Sequence, residues 1–318
     1  MIDDPRLLER ELELRLLIRY LFKKLWIILI FVFTFSVGGV FYALSLPNMY
    51  KSETLVAPVA GTGVSPFGNI SSQLGGLANI AGVNIPSGPA NDKKAIALKT
   101  LESREFIKGF IVRHDLIVPV MATIGWNLHE NELVYDSKVY DVKSDNWVRD
   151  VSAPLTPEPS LLEAYRRFSQ DFLNVREDRE TGFVYISIEF YSPEIAQDWA
   201  NKLVKDLNDF LRERERQEAE RSILFLERQL GQTSLSDLRV SLYNLIEEQM
   251  KVLMLTEVRE EYVFSTIDPA IIPDLKSSPR RGLIVVLISG FSFIFSITFF
   301  VFCFFTLSKQ KNTGRYAQ

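Results

Sequence analysis

The chain has 318 residues, 36 Lys and Arg against 40 Asp and Glu, a net charge of −4 and 47% hydrophobic residues. That length fits one or two domains, and a mildly acidic balance with no strongly basic face argues against a nucleic-acid partner. The single cysteine, Cys303, excludes an intrachain disulfide, and the two histidines, His114 and His129, leave few candidates for metal ligation or imidazole base chemistry.

Residues 1–24 form a charged lead-in to an uncharged apolar run, 25–46, of 22 residues; a second run, 283–307, has 25. A helix needs roughly 20 apolar residues to cross the hydrocarbon core, so both read as transmembrane helices rather than core helices. Ala43-Leu44-Ser45 faintly resembles a signal-peptidase site. The first run is nevertheless longer than the roughly 7–15 residues of a signal peptide's apolar region, and a retained anchor is expected. Arg15, Arg19, Lys23 and Lys24 precede the first span while only Lys51 follows closely, which puts the N-terminus in the cytoplasm. The second span has similar cation numbers on both sides, so the first sets the topology, and two spans return the C-terminus to the same side. Gly39 and Ala43 stand four apart, as do Ser292 and Ser296. Small residues at that spacing let helices approach closely, and these four are the expected packing and assembly positions.

The intervening stretch, 47–281, reads as one extracytoplasmic domain. Residues 47–59 suggest an entering strand. Residues 60–91 are rich in Gly, Ser, Asn and Pro, yet Ile70, Leu74, Leu77, Ile80, Val83 and Ile85 punctuate them, which suggests a packed loop with a helical turn or two near 71–80. A phosphate-cradling role would need a GK[ST] ending or a strand-to-helix GxGxxG, and the segment has neither. Asn91 can cap a helix to about Leu101. Ser103 can cap another to about Leu116, with Phe106, Ile107, Phe110 and Ile111 as its apolar face. Residues 117–157 are mixed, with short strands. Pro159 and Ser160 open a helix through about Phe172, and 174–178 with 183–190 read as a hairpin around Thr181-Gly182.

Ser192-Pro193-Glu194 is a strong helix start. The periodic pattern then runs without Gly or Pro to Leu230, about 57 Å at 1.5 Å per residue. Leu203, Leu207, Phe210, Gln217, Leu224 and Leu230 are expected on one face. The charged middle can form the pairs Glu213–Arg216, Arg214–Glu218, Arg216–Glu220 and Glu218–Arg221. A helix so polar in its middle must project into solvent or lie along neighbouring copies. Gly231 to Ser234 should break it, and Ser236-Asp237 can cap a second helix to about Tyr262, completing a hairpin arm over 192–262. A final strand, 264–271, is expected to pair with the entering strand and bring both ends of the domain together.

Chemistry is hard to find. There is no HExxH, CxxC or GxSxG, and no Ser/His/Asp set at a recognisable spacing. Glu247-Glu248 and Glu260-Glu261 are adjacent pairs expected on exposed faces rather than in a paired-carboxylate site. His114 is expected near a helix C-terminus, as a cap-region residue. No cofactor or metal, and no enzymatic activity, is expected.

In order and spacing, three segments resemble a known family. Residues 11–19 with Lys23-Lys24-Leu25-Trp26, the glycine-rich 72–83, and Ile271-Ile272-Pro273 through Ser278-Pro279-Arg280-Arg281 are similar to those of the bacterial polysaccharide co-polymerases, the Wzz-like chain-length determinants. The last segment is poorer in proline than in many members. The resemblance implies an α/β (α+β) membrane-proximal periplasmic domain with a long extended helical hairpin, flanked by two transmembrane helices and assembled as a homo-oligomer. It implies segments 1–24 (cytoplasmic), 25–46 (span), 47–281 (periplasmic), 282–307 (span) and 308–318 (cytoplasmic tail) in the bacterial inner membrane. Its implied partners are a polysaccharide polymerase and a growing lipid-linked glycan, whose length the protein would regulate. Some relatives continue into a tyrosine kinase; with about 11 residues after Leu307, one of them Tyr316, none is expected in this chain. Pro273 and Pro279 are expected to stiffen the membrane-proximal neck. An export or envelope-assembly component without length control is the alternative. A receptor or a membrane enzyme fits less well, for want of an output domain or a catalytic set.

Overall fold

The computed structural model describes residues 5–59, 89–233 and 235–313. The turns expected near 71–80, and the glycine-rich motif at 72–83, lie outside the described residues. The chain forms two compact units, one from the two ends of the chain, up to Asn48 and from Ser278, the other Met49–Ser277. The fold is mixed helix and strand, with long helices and two candidate membrane-spanning helices.

The end unit is two helices, α1 (Pro5–Ser45) and α8 (Arg281–Thr313). Their apolar stretches, Arg19–Ser45 and Arg281–Phe304, are long enough to cross a bilayer and mostly unburied, as lipid-facing helices are.

The second unit is built on a four-stranded antiparallel sheet, ordered β6-β7-β1-β8. Its strands are β1 (Tyr50–Pro58), β6 (Leu173–Glu177), β7 (Val184–Phe190) and β8 (Phe264–Asp268). The expected pairing of the first and last strands is present, with Pro58 opposite Phe264 and Ala57 opposite Ser265. The expected hairpin is present too, and Gly182 takes the positive φ of 74° its turn requires. Two further ties close the base of the unit: Ser52 Oγ donates to the Ile271 carbonyl at 2.6 Å, and the Ser277 N–H to the Met49 carbonyl at 2.8 Å.

Two helices precede the central segment, α2 (Pro89–Leu101) and α3 (Arg104–Arg113). Ser103 caps α3 by accepting from the Phe106 N–H, and Phe106, Ile107, Phe110 and Ile111 are all buried, as their spacing predicts. A short helix, α4 (Ile117–Ala122), leads into two small hairpins, β2 (Thr123–Asn127) with β3 (Glu132–Tyr135) and β4 (Tyr140–Asp141) with β5 (Asn146–Trp147). Next comes α5 (Leu161–Arg167), opened by a capping box in which Ser160 and Glu163 satisfy each other's backbone N–H groups, then a π-helical turn over Phe168–Phe172.

The long helix α6 (Pro193–Gln232) starts where expected: Ser192 accepts from the Ile195 N–H and Pro193 fills the first turn. Ala196, Trp199, Ala200, Leu203, Val204 and Leu207 are buried in the core. Trp199 touches Phe190 of β7 at 4.5 Å and Phe168 at 5.8 Å, and Phe168 touches Phe110 of α3 at 5.6 Å. Full burial of each such side chain stabilises by about 1.5–3 kcal/mol.

The arm differs from expectation in four details. Gly231 lies inside the last turn of α6 rather than ending it; a glycine there costs only about 1 kcal/mol. The second helix, α7 (Ser236–Val258), has Leu235 at its N-cap, with Ser236 already helical. It ends at Val258, short of Tyr262, which is buried in the core. On α6, Ala219 and Ile223 are buried while Leu224 is 57% exposed. The buried stripe is set by the partner: the sheet up to Leu211, then α7.

Candidate functional site

The sequence places its candidate residues in the spans, and there the structure brings two helices into antiparallel contact. Gly39 of α1 faces Ile288 of α8, and a Cβ at Gly39 would stand 3.1 Å from Ile288 Cδ1. Toward the other end Phe31 stacks on Phe295 with centroids 6.4 Å apart, and Tyr20 meets Phe304 at 5.5 Å. Ala43, Ser292 and Ser296 are all buried, at 1%, 7% and 4% exposure. Sequence reading missed Ser36, whose Oγ lies 3.1 Å from Ser289 Oγ, and Ile28, buried to 4% exposure. Arg281, at the start of α8, donates to the Leu46 carbonyl at 3.2 Å and to Asn48 Oδ1 at 3.1 Å.

The neck prolines flank these features. Pro273 lies in the irregular segment between Ile271 and Ser277, the two residues tied to β1 and to Met49. Pro279 stands just before α8, and its carbonyl accepts the Arg281 N–H at 2.9 Å. With no N–H of its own, a proline there cannot extend a strand ladder.

The long helix also holds the returning strand. β8 is the sheet's edge, and an uncovered edge leaves backbone groups without partners. Asn208, 4% exposed, covers it: its Oδ1 accepts from the N–H groups of Val263 and Phe264 at 2.9 and 3.0 Å, and its Nδ2 donates to the Phe264 carbonyl at 2.9 Å. Two turns earlier Asn201 brackets Ala270 in the same way, accepting from its N–H at 3.0 Å and donating to its carbonyl at 3.1 Å. At the root of the arm Glu215 accepts from Lys93 at 2.9 Å and from the Tyr262 hydroxyl. Burial, reinforced by that carboxylate, pushes the Tyr262 phenol well above its ordinary range.

Along the arm, two of the four expected ion pairs form. Arg216 contacts Glu213 and Glu220, each at 2.8 Å. Hydrogen bonds from Arg216 and then Gln217 hold Glu213 down to about 2. The feature that sequence reading missed is on α7. Val240, Tyr243, Met250 and Met254 are each at least half exposed. They stand three, seven and four residues apart along one helix face, with Glu247 at the middle of the seven-residue step, a spacing compatible with a helix–helix seam. The signal was legible in the alternation, but it was masked by Glu247 within the stripe.

The remaining candidates are structural. His114 is the C-cap residue of α3, and its Nε2 lies 3.0 Å from Asp206 of α6, which also accepts from Arg113 at 2.6 Å. Glu260 and Glu261 are both exposed. Among the described residues no cluster of three or more His, Cys, Asp or Glu could hold a metal ion.

These features define a class first: a protein with two apolar, mutually packed helices and, between them in sequence, an α/β domain with a helical arm. Comparison with known proteins shows what the chain is similar to. The model of the Wzz family, chain length determinant proteins, matches residues 10–111, about a third of the chain. This bears out the resemblance read from the sequence. Similar solved structures include a full-length bacterial polysaccharide co-polymerase, at 10% identity over 93% of this chain and 97% of that one, with a TM-score of 0.35. Another is a fragment of WzzB, a polysaccharide co-polymerase from Salmonella Typhimurium, at 10% identity over 73% and 100%, with a TM-score of 0.29. No curated protein sequence matches the chain.

Proposed function

We propose that this protein is an inner-membrane scaffold that regulates the chain length of a surface polysaccharide (O-antigen, capsule or exopolysaccharide) made by a separate membrane polymerase. The observation that carries the reading is the family match over 10–111, which runs from the charged lead-in through the first span into the domain. The antiparallel contact of two apolar helices supports placing both termini on one side of the bilayer, and the cations before the first span support the cytoplasmic side. The main domain is then periplasmic.

In this reading glycosyl transfer belongs to the polymerase, and this chain contributes position. Gly39, Ala43, Ser292 and Ser296 set the closeness of the spans, and Pro273 and Pro279 stiffen the joint between domain and bilayer. The exposed stripe on α7 supports a homo-oligomer, because an apolar seam left in water favours a second helix. The growing lipid-linked glycan meets the assembled domains. Deleting the gene in its host and resolving the polymer on a gel tests the reading. Altered length at retained surface polymer supports it. Loss of surface polymer points to export instead, and an unchanged length distribution refutes the proposal.

A further inference from the structure

A cleft of about 530 Å³ opens between α6 and the returning strand, within the roughly 300–1,000 Å³ of small-molecule sites. Its origin is geometric. Asn201 and Asn208 hold the strand at Ala270 and Phe264, and between those two clamps β8 bulges, its partners slipping from Leu55–Asp268 to Val56–Thr266.

Three features of the lining are unspent. Thr54 of β1 is 1% exposed, and its Oγ1 has no hydrogen-bond partner, a state that buried hydroxyls rarely keep. Lys205 and Glu260 are exposed, and neither is paired among the described residues. The other charges are committed. Asp209 pairs with Arg212 at 2.7 Å, and Glu261 accepts from the Thr266 N–H at 2.9 Å and from Ser265 at 2.6 Å. A cation entering the cleft meets Lys205 and Arg212, and an anion meets Asp209, Glu260 and Glu261. An uncharged ligand bearing several hydroxyls suits both signs, because each hydroxyl can donate to a carboxylate or accept from an ammonium.

We propose that this cleft is a saccharide subsite, taking an uncharged sugar unit on Lys205, Glu260 and Thr54. The proposal rests on the polysaccharide reading above and names where the glycan is held. The deep hydroxyl then gains a partner only when sugar is present. The unpaired charges hold the sugar's rim, and the two asparagine clamps keep the walls in place.

The test uses the full chain in nanodiscs of phosphatidylethanolamine and phosphatidylglycerol. The probes are methyl glycosides of glucose, galactose, mannose and rhamnose, oligosaccharide released from the host's own polymer, and glucuronate as anionic control. Saturation-transfer NMR should show ring-proton signals for at least one neutral probe. Affinity should fall about tenfold in the Lys205→Met/Glu260→Gln double variant and in Thr54→Val. Thr54→Val should also keep or raise the thermal midpoint without sugar, because it deletes an unsatisfied hydroxyl. No signal from any neutral probe, equal binding by the variants, or stronger binding of glucuronate would overturn the proposal. The gene-deletion gel separates this failure from the broader one: if deletion alters polymer length while these sugars ignore the cleft, only the subsite is lost.

Discussion

Replacing Asn208 with alanine tests whether the long helix holds the domain's last strand. The side chain is 4% exposed and makes three hydrogen bonds to the backbone of Val263 and Phe264. Alanine leaves those backbone groups without partners, at about 1–3 kcal/mol for each buried one. Water entering from the adjoining cleft offsets part of that loss, so the expected destabilisation is about 2–4 kcal/mol. For a unit of this size the thermal midpoint should fall by roughly 5–12 °C. Asn208→Asp keeps the acceptor for both N–H groups but sets a carboxylate oxygen against the Phe264 carbonyl at a buried site, so at neutral pH it should destabilise at least as much as alanine. Denaturation of the purified chain in detergent, followed by far-UV circular dichroism, gives the number. A loss below about 0.5 kcal/mol, the range of ordinary surface substitutions, would show that the strand is held by its pairing with β1 alone.

Three further outcomes follow from other parts of the molecule. Glu163 is held down to about 2 from 4.5 by the Arg149 guanidinium and then by the Ser160 N–H, with its side chain 17% exposed. A lowered folded value contributes stability above the unfolded pKa that is lost as the pH falls from about 4.5 towards 2; Glu163→Gln should cost about 1–2 kcal/mol at neutral pH and flatten that acid limb in a pH series of melts. In the spans, Gly39→Leu should force α1 away from Ile288, and disulfide crosslinking between engineered Ser36→Cys and Ser289→Cys should drop several-fold relative to the Gly39 background; unchanged crosslinking would remove Gly39 from the contact. Tyr243→Glu/Met250→Glu/Met254→Glu should lower the detergent particle's mass by light scattering while melting stays near wild type, and an unchanged mass would exclude the α7 stripe from assembly.

Much of this fold is readable because the signals are local. A span announces itself because lipid offers no partner for polar side chains, so 25–46 and 283–307 stand out by composition. The caps at Ser103 and Ser192 are local as well, each needing only the N–H groups two or three residues on. The return of residues 264–268 to β1 was reachable from topology, since two spans need both domain ends close together. What was not legible depends on partners far away in sequence. Asn208 reads as one polar residue on a helix until the strand 56 residues later arrives beside it. Arg149, in a segment without regular structure, gives no sign that it will reach Glu163 at 2.7 Å. The phase of the buried stripe on α6 escaped for a related reason: its partner changes from sheet to helix along its length, and the stripe passes through Ala219 and Ile223 rather than Leu224.

The most direct measurement is reconstitution of the host's polymerase with lipid-linked repeat units in liposomes, with and without this chain, and a readout of the polymer's length distribution. The polymerase alone should give a broad, featureless spread, and adding this chain should gather the products around one preferred length at similar total synthesis. The same spread in both preparations, with the chain folded and inserted, would contradict the role assigned to it.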